Sequence, residues 1–163
     1  NLNQMSRFTV YTHKAGVLSA LGHDHALNFA KTEVKAADGK VTGKLFVDSI
    51  AEWGVVKDGN VKTDTMSEKD KGEIYNHACN DILKSGDFPT IDFEGTYAGG
   101  KAKVNVTMCG KTKEVEFDYK EDGGKFKGKT GTLKPSEWGV PLPFKALAGA
   151  MQVADQVEFE FDF

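Results

Sequence analysis

The residues best able to do chemistry in this chain are its histidines. His23 and His25 stand two apart, and on an extended segment that spacing puts both imidazoles on one face. With His77 they would supply three ring nitrogens, a donor set for a divalent metal, and any one of them could ligate a haem iron. His23, His25 and His77 are therefore a candidate metal or haem site, with Asp24 pointing away from the pair. Two other readings stand beside it: polar lining at the mouth of a ligand site, or imidazoles that satisfy buried backbone groups at the end of a fold. The chain has two cysteines, Cys79 and Cys109, and no C-x-x-C, so zinc and dithiol redox motifs are absent. Free buried thiols and a single disulfide both remain open. Nucleophilic catalysis finds no support. There is no G-x-S-x-G elbow, and Ser19 and Ser136 have no base at a fixed spacing. Glu158 and Glu160 share the solvent face of one strand. The chain reads as a binding protein, not an enzyme.

The elements that must position these residues are mostly strands. Val157, Phe159, Phe161 and Phe163 alternate with charged or polar residues up to Phe163, so the segment is apolar on one side and acidic on the other. The same period of two recurs. Phe8, Val10 and Thr12 share a face, with Arg7, Thr9, Tyr11 and His13 opposite. Val41, Gly43, Leu45 and Val47 are in register, as are Ile91, Phe93, Gly95 and Tyr97, then Val104, Val106 and Met108, then Val115, Phe117 and Tyr119. Asp38-Gly39, Asp58-Gly59, Gly99-Gly100, Cys109-Gly110 and Asp122-Gly-Gly124 supply turn chemistry between them. At least seven strands follow, mostly antiparallel neighbours. One stretch changes period. Ile74, Ala78 and Ile82 repeat every four residues, Ser67 with Asp70 resembles a capping arrangement and Gly86 suits a stop, so 67–85 is expected to be helical. A second short helix is expected from Pro143 through Leu147 to Met151. Trp53-Gly-Val55 and Trp138-Gly-Val140 look like two similar corners or simple aromatic packing at strand ends.

Composition narrows the function classes. A chain of 163 residues without a linker or repeat is expected to form one domain, 1–163. Net charge is −3 and the 21 basic residues form no stripe, which argues against nucleic acid. No apolar run approaches the ~20 residues needed to span a bilayer. The chain starts Asn1-Leu2-Asn3, compatible with a processed mature form or a trimmed one. A homodimer is compatible with the composition as well.

Four blocks, in order, carry a resemblance. They are Ser6-Arg-Phe-Thr-Val-Tyr-Thr-His-Lys-Ala-Gly-Val-Leu-Ser-Ala-Leu-Gly-His-Asp-His25, then Ile82-Leu-Lys-Ser-Gly-Asp-Phe-Pro-Thr-Ile-Asp-Phe93, then Val104-Asn-Val-Thr-Met-Cys-Gly-Lys-Thr-Lys-Glu-Val115, and finally Ser136-Glu-Trp-Gly-Val140 with Val153-Ala-Asp-Gln-Val-Glu-Phe159. Together they resemble the YceI-like family, with a departure: Gly22-His-Asp-His25 is a variant of the family's first turn, and no arginine accompanies His77. The resemblance implies an all-β protein with one or two helices, an extended lipocalin-like antiparallel β-barrel of about eight strands. It implies non-catalytic binding, transport or sequestration of a polyisoprenoid or isoprenoid quinone in the periplasm or outside the cell, with no cofactor required. Phe8, Val10, Leu45, Val47, Phe93, Val106, Phe117, Phe159 and Phe161 would then line the barrel, with His77 at the site, and the same residues could equally fill a solid core. The metal or haem reading of His23, His25 and His77 is the alternative.

Overall fold

The computed structural model describes residues 6–15, 23–146 and 151–163. Among these residues most belong to one 12-stranded antiparallel sheet. In chain order the strands are β1 (Arg7–Lys14), β2 (Asp24–Phe29), β3 (Thr32–Ala37), β4 (Lys40–Phe46), β5 (Ile50–Lys57), β6 (Asn60–Lys62), β7 (Thr90–Ala98), β8 (Lys101–Met108), β9 (Lys111–Asp122), β10 (Lys125–Lys129), β11 (Phe144–Ala146) and β12 (Met151–Asp162). The helix α1 (Glu68–Asn76) lies between β6 and β7 and continues as a π-helical segment, His77–Ile82. The strands are ordered β3-β4-β7-β8-β9-β10-β12-β1-β2-β5-β6, with β11 beside β12.

Twelve strands replace the expected eight partly because long strands bend. β2 and β3 are one run interrupted at Ala30 and Lys31, and β4 and β5 are another interrupted by a short 3-10 turn, Val47–Ser49. The two runs pair along their whole length as a single hairpin, from Ala37↔Lys40 to Asp24↔Val56. At the bend the backbone stays paired, since Ala30 N–H donates to Ser49 O and Phe46 N–H to Lys31 O. Ser49 Oγ accepts from Lys31 N–H and donates to Phe46 O, which stabilises the corner. One half of this ribbon pairs with β7 through β4, the other with β1 through β2. The hydrogen-bonded path itself does not close: it runs from an edge at β3 to an edge at β6. The ribbon instead spans the two ends of the sheet covalently and holds its faces around a common interior.

The turns obey the sequence. Asp38-Gly39, Asp58-Gly59, Gly99-Gly100, Cys109-Gly110 and Gly123-Gly124 all take positive φ at both positions, the geometry that matches the twist of paired strands. Elsewhere glycine is needed for space. Gly95 packs so tightly that a Cβ would sit 2.1 Å from Lys103 O. At Gly43 a Cβ would fall 2.2 Å from Phe93 Cζ, because the Phe93 ring rests on that glycine from inside.

The helix forms where its cap and period predict. Ser67 Oγ accepts from Asp70 N–H at 3.1 Å, and Ile74, Ala78 and Cys79 are buried against the sheet. Gly72 lies mid-helix with open space where a Cβ would go. Gly72→Ala is therefore expected to stabilise the protein by about 0.5–1 kcal/mol, read as a higher urea midpoint at unchanged slope. A lower midpoint would mean that α1 is not helical at this position.

The expected second helix is corrected in its described part. Phe144–Ala146 is a strand paired with Val153–Met151, because the chain leaving Pro143 meets the free edge of β12. Residues 147–150 lie outside the described residues, as do Ser19 and the 16–22 part of the first resemblance block. The two Trp-Gly-Val triplets differ in geometry. Trp53 is the extra residue of a bulge between Ala26↔Gly54 and Leu27↔Glu52, whereas Trp138 ends a 3-10 turn, Pro135–Trp138, closed by Gly139 at φ 78. Among the described residues no helix is long and apolar enough to cross a membrane.

Candidate functional site

The inner faces of the strands enclose two adjoining apolar cavities. The larger, about 100 Å³, runs along β4, β7, β8, β9, β10 and β12. The smaller, about 70 Å³, lies toward the π-helical segment, which closes it with Ala78 and Ile82, joined by Leu83 just beyond its end. Ile91, Met108 and Phe159 line both, so they form the wall between the two. Alternation explains the lining: strand residues two apart share a face, and the apolar set of each strand is the set that points inward.

The structure places the expected lining residues as follows. Phe8, Leu45, Phe93, Val106, Phe117, Phe159 and Phe161 surround the larger cavity. Val10 lines the smaller one. Val47 does not continue the strand register; it begins the 3-10 turn and is 1% exposed in the packed core. His77 lines neither cavity. Its Nδ1 lies 2.7 Å from Asp81 one helical turn on, and its ring packs 5.2 Å from that of Phe144.

The three-histidine site is not assembled. His23 and His25 have rings 6.1 Å apart, but His77 is engaged elsewhere, and among the described residues no group of three metal-ligating side chains converges. The reason is topological: His25 faces inward from β2, whereas His77 sits on the helical segment beside β11. Asp24 does point away from the pair, accepting from Lys14 N–H at 2.8 Å. The cysteines are free. Cys79 Sγ donates to Ser85 Oγ at 3.1 Å, and burial pushes the Cys109 thiol up, away from the nucleophilic thiolate. Ser136 donates its backbone N–H and its hydroxyl to Asp155 rather than to an imidazole.

Several lining residues were not among those expected. Tyr97, Tyr119, Phe126 and Phe163 form a chain of ring contacts at one end of the larger cavity, with centroids 5.1–5.9 Å apart. Phe126 and Gly128 alternate in Lys125-Phe-Lys-Gly-Lys129, a short signal between charged residues. Trp138 is 2% exposed, lines the same cavity and donates its indole N–H to Val106 O at 2.9 Å. Glu52 is the residue sequence reasoning had least reason to find. Its register partner is the buried Leu27, so it faces the interior, and its side chain is only 1% exposed. It lies 3.7 Å from His25 Nδ1. Burial pushes the Glu52 carboxyl up, with Lys71 of α1 pulling it back. Burial, reinforced by His23, holds His25 down to about 4, against a smaller opposing pull from Asp24.

The fold recurs in known proteins. Residues 19–163 match the model of the YceI-like domain. No curated protein matches the chain in sequence. Among solved structures, BcnA of Burkholderia cenocepacia is similar at a TM-score of 0.59 and 20% identity, over 96% of this chain and 94% of that one. A polyisoprenoid binding domain from Saccharophagus degradans, implicated in plant cell wall breakdown, is similar at 0.58 and 8% identity, over 98% and 92%. A mutant CJ YCEI protein is similar at 0.55 and 16% identity, over 84% and 81%. At these identities the likeness is one of fold. The family model covers most of the sequence, and the fold around the apolar interior agrees with it: the chain belongs to the YceI-like family.

Proposed function

We propose that this protein binds a long apolar ligand of the isoprenoid or isoprenoid-quinone type and sequesters it from water without changing it chemically. The observation that carries this reading is the apolar interior itself, continuous in its lining from the Tyr97–Phe126 ring cluster to the helical segment. The Saccharophagus degradans relative, named as a polyisoprenoid binding domain, supports it. Apolar surface removed from water contributes roughly 25 cal/mol per Å², so a prenyl tail can be held without a cofactor or any polar anchor. A periplasmic or secreted location belongs to the same proposal.

Cavities of about 100 and 70 Å³ are smaller than the ~300 Å³ at which ligand pockets usually begin. A chain-like ligand therefore enters by turning aside flexible or half-buried side chains, and Phe93, Phe126 and Met108 are placed to yield. Native mass spectrometry of the purified protein tests the proposal. The expected result is an excess mass that extracts into organic solvent. A protein that carries no such mass and fails to take up an added isoprenoid would sink it.

Gly43 offers a sharper test of where the ligand lies. Gly43→Val forces the Phe93 ring off the glycine and into the larger cavity. Isoprenoid affinity should fall about tenfold or more, because each methylene kept in water costs about 0.8 kcal/mol. Circular dichroism checks that the sheet is retained. Unchanged affinity in a folded variant would place the ligand elsewhere.

A further inference from the structure

Buried polar groups normally find partners, and each one left without costs about 1–3 kcal/mol. His25 Nδ1 and Glu52 Oε1 break this rule together: among the described residues neither has a hydrogen-bond partner, although the Glu52 side chain is 99% buried by its 1% exposure. They are 3.7 Å apart, too far for a direct hydrogen bond. Both point inward. His25 pairs with Thr12, and Glu52 with Leu27 two residues on from Ile50. Thr12, Leu27 and Ile50, their neighbours in the sheet, all line the smaller cavity, so the pair lies next to its lining, on the strand that packs against α1.

The gap has a chemistry. An oxygen about 2.8 Å from each atom would bridge them, donating to Glu52 and accepting from the imidazole N–H. A hydroxyl group does both with one atom. An ether oxygen can only accept, and a hydrocarbon end would leave both protein atoms unsatisfied. The low pKa of His25 keeps its ring neutral at pH 7, so Nδ1 is free to carry the single proton this arrangement needs. The titratable groups that act on the pair are His23 and, from the opposite face, Asp24 for His25, and Lys71 from α1 for Glu52.

We propose that His25 and Glu52 are the seat for the terminal hydroxyl of the ligand, an apolar chain ending in an alcohol or phenol, which enters this end first. The proposal rests on the carrier reading above and names the polar end of that ligand. It assigns a directional element beside an interior lined almost wholly by apolar groups.

The test uses delipidated protein and two probes, geranylgeraniol and its methyl ether, with binding read by tryptophan fluorescence. The alcohol should bind about tenfold or more tightly than the ether, the discrimination expected when a buried polar pair is left without a partner. In Glu52→Leu, which leaves an apolar wall of similar size, the alcohol should lose that advantage while ether affinity holds. The comparison in the unaltered protein stands even if the variant fails to fold. Equal binding of alcohol and ether overturns the hydroxyl seat and leaves the carrier reading intact. Binding of neither overturns both. Tighter binding of the corresponding amine than of the alcohol also overturns it, since the pair would then be a cation site.

Discussion

Trp138→Ala is expected to cost about 3–5 kcal/mol of folding free energy, with a fall in melting temperature of about 10 °C. The indole is 2% exposed, packs against the inner face and donates its N–H to Val106 O at 2.9 Å. Its other face takes the Lys113 ammonium at 5.3 Å from the ring centroid. Truncation removes the packing, enlarges a cavity that is already present, and leaves the Val106 carbonyl short of a donor. Three effects of the same sign act at one place. Trp138→Phe separates them: it keeps most of the packing and loses the donor, so it should cost about 1–2 kcal/mol. Urea unfolding at constant slope reads both values. A loss below about 1 kcal/mol for the alanine variant would mean the indole does not close the interior.

Lowering the pH from 7 to 4 should destabilise the Glu52→Gln protein by about 3 kcal/mol more than a variant that also carries His25→Gln. His25 is held down to about 4 in the fold against about 6.5 in the unfolded chain. Above 6.5 both states are neutral, and the stabilising difference is fully present. As the pH falls from 6.5 toward 4 the unfolded chain takes up a proton that the folded one refuses, and stability is lost across that window. Glu52 acts with the opposite sign. Its carboxyl is pushed up by burial, so the folded protein keeps that proton to a higher pH than the unfolded chain. Its contribution is present below about 4.5 and is lost as the pH rises through the raised value. In the unaltered protein the two partly cancel, and its pH profile should be flatter than that of Glu52→Gln. Superimposable profiles for Glu52→Gln with and without His25 would show that His25 is not buried as the structure has it.

Much of this protein is legible from local pattern. A period of two needs only neighbours in sequence, so the inward sets Phe8/Val10, Phe117/Tyr119 and Phe159/Phe161 could be assigned to one face before any partner was known. The Asp-Gly and Gly-Gly turns are equally local, because positive φ is a property of the residue itself. So is the Ser67 cap. The ordered blocks, weak singly, resembled the family to which the chain belongs.

What failed was whatever depends on a partner distant in sequence. Phe144–Ala146 became a strand because β12 offered it an edge, and Pro143 as a helix start could not foresee that. Val47 left its strand because the ribbon must bend there to reach both ends of the sheet. Spacing put His23 beside His25, yet whether His77 joined them depended on which way two separate elements faced. Glu52 was hidden most completely. In Ile50-Ala-Glu-Trp-Gly54 nothing distinguishes it from a solvated charge, and the bulge at Trp53 that fixes the register around it is visible only once β5 is paired with β2. The sequence by itself determined the all-β class, the turns, the helix and the apolar character of the interior, because these follow from each residue and its near neighbours. Only the tertiary structure decided the open strand path, the shape of the cavities and the buried His25–Glu52 pair, because these arise from register and bending between segments far apart in the chain.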